Sequence, residues 1–299
     1  MPLMNLVAID WGTSSLRGAL IDAASGTVLQ EQSHARGILS VAPGEFPAVF
    51  ESLFGDWMQP PGTRSLISGM AGSKQGWVEA PYCACPAGRV EVGARIVDIE
   101  PGRIAIVPGL SDEHDGIPDV MRGEEVQIFG AMALTGMSDG LFVLPGTHNK
   151  WVTVHKGRIT GFRSYMTGEF YALLSQHSIL ARMLDADAPL DEAAFLQGVT
   201  QADNGEGLLH NAFGARTLPL FERMPRAETA SYLSGLLIGE ELRTQSLRAA
   251  GEVVLIGSPT LTERYALALQ SKGVATRTLG AEATWAGLHA LSAFLTPAP

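Results

Sequence analysis

Leu6-Val7-Ala8-Ile9-Asp10-Trp11-Gly12-Thr13-Ser14-Ser15-Leu16-Arg17-Gly18-Ala19-Leu20-Ile21-Asp22 decides how the rest of the chain is read. Apolar runs at 6–9 and 16–21 flank a polar turn in which Gly12 can take a positive φ, so the segment predicts a tight β-hairpin. Its tip offers the backbone N–H groups and hydroxyls of Gly12, Thr13, Ser14 and Ser15, with Asp10 leaving the end of a buried strand. A carboxylate beside a nest of donors suits a polyphosphate with its Mg²⁺: the donors cradle oxygens and Asp10 orients the metal's water shell. An ordinary hairpin with a solvated aspartate fits the same residues.

The pattern recurs at Leu141-Phe142-Val143-Leu144-Pro145-Gly146-Thr147-His148-Asn149-Lys150-Trp151-Val152-Thr153-Val154. Each copy runs from an apolar strand through Gly-Thr and two polar residues into a second strand. A glycine turn then follows, Ser25-Gly26 in one copy and Lys156-Gly157 in the other, before a third strand. Gly12 and Gly146 are 134 residues apart (146 − 12), nearly half of the 299-residue chain. Two such meanders, each opening one half, predict two similar domains whose hairpin tips converge on a cleft.

Length and composition agree with two lobes, because a chain of this size tends to split its core and 46% apolar content is ample for burial. The net charge of −10, without any run of Lys and Arg, argues against a nucleic-acid or anionic-membrane surface. Met1-Pro2-Leu3-Met4-Asn5 lacks a basic segment ahead of an apolar one, so no signal peptide is expected. No window approaches the ~18 apolar residues of a membrane span, and a cytoplasmic location is expected. The two cysteines, Cys83 and Cys85, are too close for an unstrained disulfide and too few for a zinc site, and read as reduced structural thiols.

Phe46, Val49, Phe50, Leu53, Phe54 and Trp57 share one helical face over 46–58, and Pro60-Pro61-Gly62 ends that helix. A strand at 65–68 then feeds Gly69-Met70-Ala71-Gly72-Ser73-Lys74-Gln75-Gly76-Trp77. Its three glycines let backbone approach a ligand, while Ser73, Lys74 and Gln75 offer hydrogen bonds and a charge, which suits a hydroxylated, anionic small molecule. A flexible connection is the plainer reading. Short strands are expected at 90–92 and 104–108, a polar loop at 112–118, and a helix at 120–134 that carries Glu124 and Glu125 at its start. The helix dipole favours acids there regardless of chemistry, but either carboxylate is also placed to face a reacting hydroxyl. Thr167-Gly168-Glu169 joins a strand to a helix, where it binds substrate hydroxyls or simply caps.

Residues 185–228 read as helices and loops, 231–248 as a long helix, and His177 as structural. Residues 252–256 form a buried strand that ends in Gly257-Ser258-Pro259, after which Thr260 and Glu263 make a capping box. Such a strand, turn and helix can hold a nucleoside, although most are plain architecture. An apolar helix over 281–294 closes the chain. Neither a P-loop nor a dinucleotide fingerprint occurs.

Read in order, these features resemble the actin-like ATPase superfamily of sugar kinases, actin and heat-shock chaperones, and more narrowly the 2-dehydro-3-deoxygalactonokinase family. The motifs that carry the likeness are Ala8-Ile9-Asp10-Trp11-Gly12-Thr13-Ser14, the segment 68–82, Asp119-Val120-Met121-Arg122-Gly123-Glu124-Glu125, Leu144-Pro145-Gly146-Thr147-His148-Asn149-Lys150-Trp151, Met166-Thr167-Gly168-Glu169 and His177-Ser178-Ile179-Leu180.

The resemblance spans nearly the whole chain and implies an α/β fold of two ribonuclease-H-like domains around a central cleft. One lobe is expected at 1–121, with 281–299 packing back on it, and the other at 122–280. It also implies ATP-dependent phosphorylation of the 6-hydroxyl of 2-dehydro-3-deoxy-D-galactonate, with ATP and Mg²⁺ as cofactors. Under it, Asp10 orients the metal; Gly12, Thr13, Ser14, Gly146, Thr147 and Lys150 hold the phosphates; Gly257 and Ser258 hold the nucleoside. Ser15, Arg17, Gly72, Ser73, Lys74, Met166, Thr167 and Glu169 line the sugar pocket, and Glu124, or else Glu125, is the general base. Arg17 and Lys150 are the nearest cations for the transferring phosphoryl or the substrate carboxylate. Related kinases usually carry Asp where only Glu is available here. A kinase for another sugar acid or hexose, and an actin-like ATPase without a small substrate, are the alternatives. Neither nucleic acid nor membrane is expected as a partner, and a homodimer is left open.

Overall fold

In the computed structural model, which describes residues 3–185, 187–247 and 251–295, the first hairpin is formed by β1 (Asn5–Trp11) and β2 (Leu16–Asp22). They pair antiparallel with Asp10 opposite Arg17 and Trp11 opposite Leu16. β3 (Val28–His34) completes the meander, and β4 (Thr63–Gly69) adds to its other side in parallel, with Asp10 level with Ser68. β5 (Cys83–Ala84) belongs to a separate small sheet, whereas β6 (Val97–Glu100) and β7 (Ile104–Ile106) extend the main one. The main sheet has six strands in the order β3-β2-β1-β4-β7-β6.

Alternation along β1 sends Val7, Ile9 and Trp11 to one face, where Phe46, Phe50 and Phe54 from the helix Phe46–Met58 meet them. Each such fully buried side chain stabilises the unit by about 1.5–3 kcal/mol relative to exposure. Trp11 is pinned further by its Nε1 donating to the Arg36 carbonyl at 2.9 Å.

The expected loop at 112–118 is instead a hairpin of β8 (Leu110–His114) and β9 (Ile117–Met121), which pairs with β5. Asp115 and Gly116 form its two-residue turn with φ of 53° and 79°, the mirror-image turn that the twist of a hairpin favours. Residues 120–121 finish this strand, so the following helix begins only at Glu124 (Glu124–Thr135). The strand expected at 90–92 is a short helix, Arg89–Gly93.

The second meander is β10 (Gly140–Leu144), β11 (Asn149–His155) and β12 (Arg158–Tyr165). β13 (Glu252–Ile256) and β14 (Ala275–Leu279) continue the sheet in parallel, in the order β12-β11-β10-β13-β14. An antiparallel meander extended by parallel strands therefore occurs twice, as the two glycine-tipped hairpins predicted, and this is the ribonuclease-H-like arrangement that the family resemblance implied. Val143, Trp151, Val253 and Leu255 pack against Phe195, Ile238 and Tyr265 from the helices of this half. The long helix expected at 231–248 is Arg226–Arg243.

The chain divides into two units. The first comprises Met1–Asp139, Val152–Phe162 and Ala281–Pro299; the second comprises Gly140–Trp151 and Arg163–Gly280. The first boundary thus falls beyond residue 121, because the helix Glu124–Thr135 belongs with the first unit. There it packs on the helix Glu282–Ser292 so closely that a β-carbon on Gly130 or Gly287 would run into the other helix's backbone. No helix among the described residues is long and apolar enough to cross a membrane.

Candidate active site

In the first unit the loop 12–15 joins β1 to β2, and its Gly12 N–H donates to the Ser15 carbonyl at 2.9 Å. Gly12 is not among the residues with positive φ, so the turn does not depend on the conformation expected of it. Thr13, Ser14 and Ser15 are exposed. Residues 37–39 pack along the inside of this tip: Ile38 N–H donates to the Gly12 carbonyl at 3.0 Å and Leu39 N–H to the Thr13 carbonyl at 3.3 Å. Gly37 lies so near Ser14 that a β-carbon there would collide with the Ser14 backbone.

Asp10 is 18% exposed and its Oδ2 accepts from Arg17 Nη2 at 2.5 Å. Arg17 also lies over the Trp285 ring, 5.9 Å from its centre. At the end of the neighbouring strand Gly69 takes φ 89°, and a β-carbon on it would stand 3.2 Å from Asp10 Oδ1. One on Gly123 (φ 106°) would in turn stand 3.2 Å from the Gly69 Cα. Bare glycines at 69 and 123 therefore bring three chain segments together beside the Asp10 carboxylate.

Gly123 opens the helix that carries both candidate bases, and their surroundings differ. Glu125 is fully enclosed, with both carboxylate oxygens on the Gly123 N–H at 2.8 and 3.0 Å. Burial first, and the charge of Glu124 second, push its carboxyl up to about 8. Glu124 is half-buried and its Oε2 accepts from the Arg122 N–H at 2.9 Å.

Arg122, for which the sequence suggested no role, is 9% exposed and packs 4.4 Å from the centre of the Tyr82 ring. Its Nη2 donates to the Ala80 carbonyl at 2.8 Å, while Nε and Nη1 are buried without a partner among the described residues. Ser73 Oγ is in the same state, and a β-carbon on the neighbouring Gly72 would come within 2.9 Å of Arg122 Nη1. Lys74 is exposed on the same loop.

In the second unit the turn between β10 and β11 leaves Thr147 and His148 exposed, but the Gly146 N–H is already committed to Asn149 Oδ1 at 2.7 Å. The helix Thr167–His177 begins against this turn: Glu169 N–H donates to the Thr147 carbonyl at 3.0 Å, and a β-carbon on Gly168 would collide with the Gly146 carbonyl. Glu169 Oε2 lies 2.5 Å from His148 Nε2, and Met166 is exposed ahead of the helix.

A cavity of about 360 Å³ opens here, lined by Gly146, Thr147, Thr167, Gly168, Thr260 and Arg264 among others. Thr167, expected among sugar-binding residues, therefore sits with the glycine turn of its own unit. Lys150 does not line the cavity: it is 6% exposed and its Nζ donates to Ser164 Oγ. Gly257 and Ser258 are also off its wall, which is made by the next turn of chain. Ser258 itself is the N-cap residue of the helix Pro259–Ser271, so Thr260 lies inside that helix instead of capping it. Arg264 is held by a 2.7 Å bond to Ser234 Oγ.

Beneath the turn, Glu241 is 3% exposed and receives four side-chain donors, from Asn149, Trp151, Thr167 and Tyr265. Burial raises its carboxyl and those donors oppose the rise.

The second unit thus holds a cavity beside an exposed turn of donors, and the first an acid beside bare glycines; phosphoryl transfer calls for groups of both kinds. Among the described residues no group of three His, Cys, Asp or Glu side chains is placed to hold a metal. A lone carboxylate such as Asp10 could offer a cation one protein ligand, the rest coming from elsewhere. That fits Mg²⁺, which keeps most of its waters and takes its other ligands from substrate phosphates.

A family model described as 2-keto-3-deoxy-galactonokinase matches residues 10–291. A Rhizobium meliloti (strain 1021) protein named "Probable 2-dehydro-3-deoxygalactonokinase" is 37% identical over 97% of this chain and 97% of its own. The 2-dehydro-3-deoxygalactonokinase of Escherichia coli (strain K12) is 34% identical over 96% of this chain and 97% of its own. A crystal structure from Sinorhizobium meliloti, of a protein described as a 2-dehydro-3-deoxygalactonokinase, superposes with a TM-score of 0.88 at 36% identity, covering 96% of this chain and 98% of that one.

Proposed function

The chain belongs to the 2-keto-3-deoxy-galactonokinase family, and on that premise we propose that it transfers the γ-phosphoryl group of ATP to the 6-hydroxyl of 2-dehydro-3-deoxy-D-galactonate. The observation that carries this reading is identity of 34–37% to two proteins bearing that activity in their names, over 96–97% of the chain. We place the reaction in the cytoplasm, where ATP is plentiful and where thiols such as Cys83 and Cys85 stay free.

In the reaction the O6–phosphorus bond forms as the bond from the γ-phosphorus to the bridging oxygen breaks, the hydroxyl proton leaves, and ADP departs. Glu124 takes that proton, since it is the one of the two acids with solvent access. Each unit has a hairpin tip suited to phosphate oxygens: Thr13, Ser14 and Ser15 with room left by Gly12 in the first, and Thr147 and His148 with room left by Gly146 in the second. Thr260 and Arg264 line the wall that receives the nucleoside. Asp10 would hold Mg²⁺ through its waters, and the ion would supply charge neutralisation to the phosphates.

The substrate's carboxylate goes to Arg122 and Ser73. Arg17 is already paired with Asp10 and Lys150 with Ser164, whereas Arg122 Nε and Nη1 and Ser73 Oγ lack partners among the described residues, and buried donors of that kind call for an acceptor. The test is ADP release over a panel of sugar acids and hexoses. A preference for 2-keto-3-deoxy acids is expected, and equal rates with neutral hexoses would refute the assignment.

A further inference from the structure

Glu241 reads in sequence as one more acid on a helix, yet its carboxylate is the hub on which the second hairpin turn rests. Oε2 accepts from Asn149 Nδ2 at 2.7 Å, from Tyr265 OH at 2.7 Å and from Thr167 Oγ1, and Oε1 accepts from Trp151 Nε1. Every partner is a donor, so an acceptor-only carboxylate suits the place. Asn149 spends its other atom, Oδ1, on the Gly146 N–H at 2.7 Å. Its amide therefore has one workable orientation. A flip would set the NH₂ group against the Gly146 N–H and the carbonyl against the carboxylate. Thr167, which lines the cavity along with Asn149 and Tyr265, begins the helix that abuts the same turn.

We propose that Glu241 is a positioning residue for the nucleotide: by fixing the Asn149 amide and the Thr167 hydroxyl it sets the backbone of the Gly146-Thr147 turn in the geometry that receives phosphate. This rests on the reading of that turn as a phosphate site. Four apolar neighbours would stabilise the unit as well as a buried carboxylate does, because desolvating the charge offsets much of what its hydrogen bonds contribute. The carboxylate instead specifies one arrangement of the turn.

Glu241→Leu nearly keeps the volume but takes the acceptor away from all four donors, whereas a glutamine could turn its carbonyl to the three donors on Oε2 and leave only Trp151 facing an NH₂ group. The Thr167 and Tyr265 hydroxyls can turn to other partners; the Asn149 amide keeps only the Tyr265 hydroxyl for its Nδ2 and loses the carboxylate that fixes it against Gly146. The KM for ATP is expected to rise about tenfold, as for loss of one buried polar contact, while the KM for the sugar acid and kcat at saturation stay within about twofold. Trp151→Phe removes a Glu241 donor without touching Asn149, and is expected to lower the melting temperature while leaving the KM for ATP unchanged. If the two variants melt alike and neither alters the KM for ATP, Glu241 only stabilises and the proposal is overturned. Should Glu241→Leu fail to fold, Asn149→Ala decides, since an unchanged KM for ATP there is equally fatal.

Gly146→Val checks the underlying reading by calorimetry with ADP. A β-carbon at this position has nothing nearer than 4.0 Å, so the added side chain starts into open space, and a melting curve alongside the titration shows that the variant is folded. Undiminished ADP binding removes the phosphate site and the proposal with it. Lost binding in Gly146→Val beside full binding in Glu241→Leu removes the proposal alone.

Discussion

Glu124 and Glu125 are adjacent at one helix start, yet Glu125 is completely enclosed with both oxygens on the Gly123 N–H, while Glu124 is half-buried with one oxygen on the Arg122 N–H at 2.9 Å. A general base must come within hydrogen-bond reach of the proton it removes. Glu124→Gln is therefore expected to lower kcat by on the order of 10²–10⁴ with little change in either KM, and Glu125→Gln to stay within a few-fold of wild type. Steady-state kinetics on the two variants decide, and the opposite result would move the base by one residue.

The same enclosure makes Glu125 a pH-dependent liability for stability. Its carboxyl is lifted from about 4.5 to about 8, so the folded chain keeps a proton that the unfolded chain releases. Stability is undiminished below the lower value, falls as pH rises toward about 8, and levels off above it, with a total loss on the order of several kcal/mol. Glu125→Gln cannot ionise and keeps an acceptor for Gly123. Thermal melts from pH 4.5 to 8.5 are expected to show a flatter profile for the variant, with its advantage over wild type greatest near pH 8. Parallel profiles would contradict this.

How much of this was legible beforehand follows from the range of each interaction. The two hairpins and their glycine turns are written in adjacent residues, through alternation and turn chemistry, and both were found where the pattern placed them. The Asp115-Gly116 hairpin carries an equally local signal, a strong turn dipeptide, which the polarity of its flanks concealed. Lys150 neighbours the Gly-Thr turn in sequence, but alternation along β11 sends it to the opposite face from Asn149 and onto Ser164, a partner that sequence proximity does not show. Glu241, Gly37 and Arg122 act through partners far away in the chain, and nothing in their own neighbourhoods announces it.

Arg122→Lys keeps a cation but loses the planar fork and the two unpartnered nitrogens. If those nitrogens receive the substrate carboxylate, the KM for the sugar acid rises at least about tenfold, as for loss of a charge-assisted pair, while the KM for ATP does not move. The variant also discriminates less between a sugar acid and its neutral hexose counterpart. An equal rise in both KM values would show instead that Arg122 serves only to hold the 69–77 loop through Ala80.

The last expectation inverts the usual rank of the glycines at the first tip. Gly12 belongs to the motif, yet a β-carbon there would rest 3.4 Å from the Ser15 carbonyl, an ordinary contact, and its φ is one that alanine adopts. Gly37 belongs to no motif, but a β-carbon there would collide with the Ser14 backbone and push the tip away from residues 37–39. Gly37→Ala is thus expected to cost about 1–3 kcal/mol in overpacking and to weaken ADP binding, because the displaced tip carries the donors. Gly12→Ala is expected to melt like wild type and lose affinity alone, since its methyl stands where phosphate oxygens approach the backbone. Melting curves and ADP titrations on both variants test the split. A destabilised Gly12→Ala beside an unaffected Gly37→Ala would mean that residues 37–39 do not support the turn.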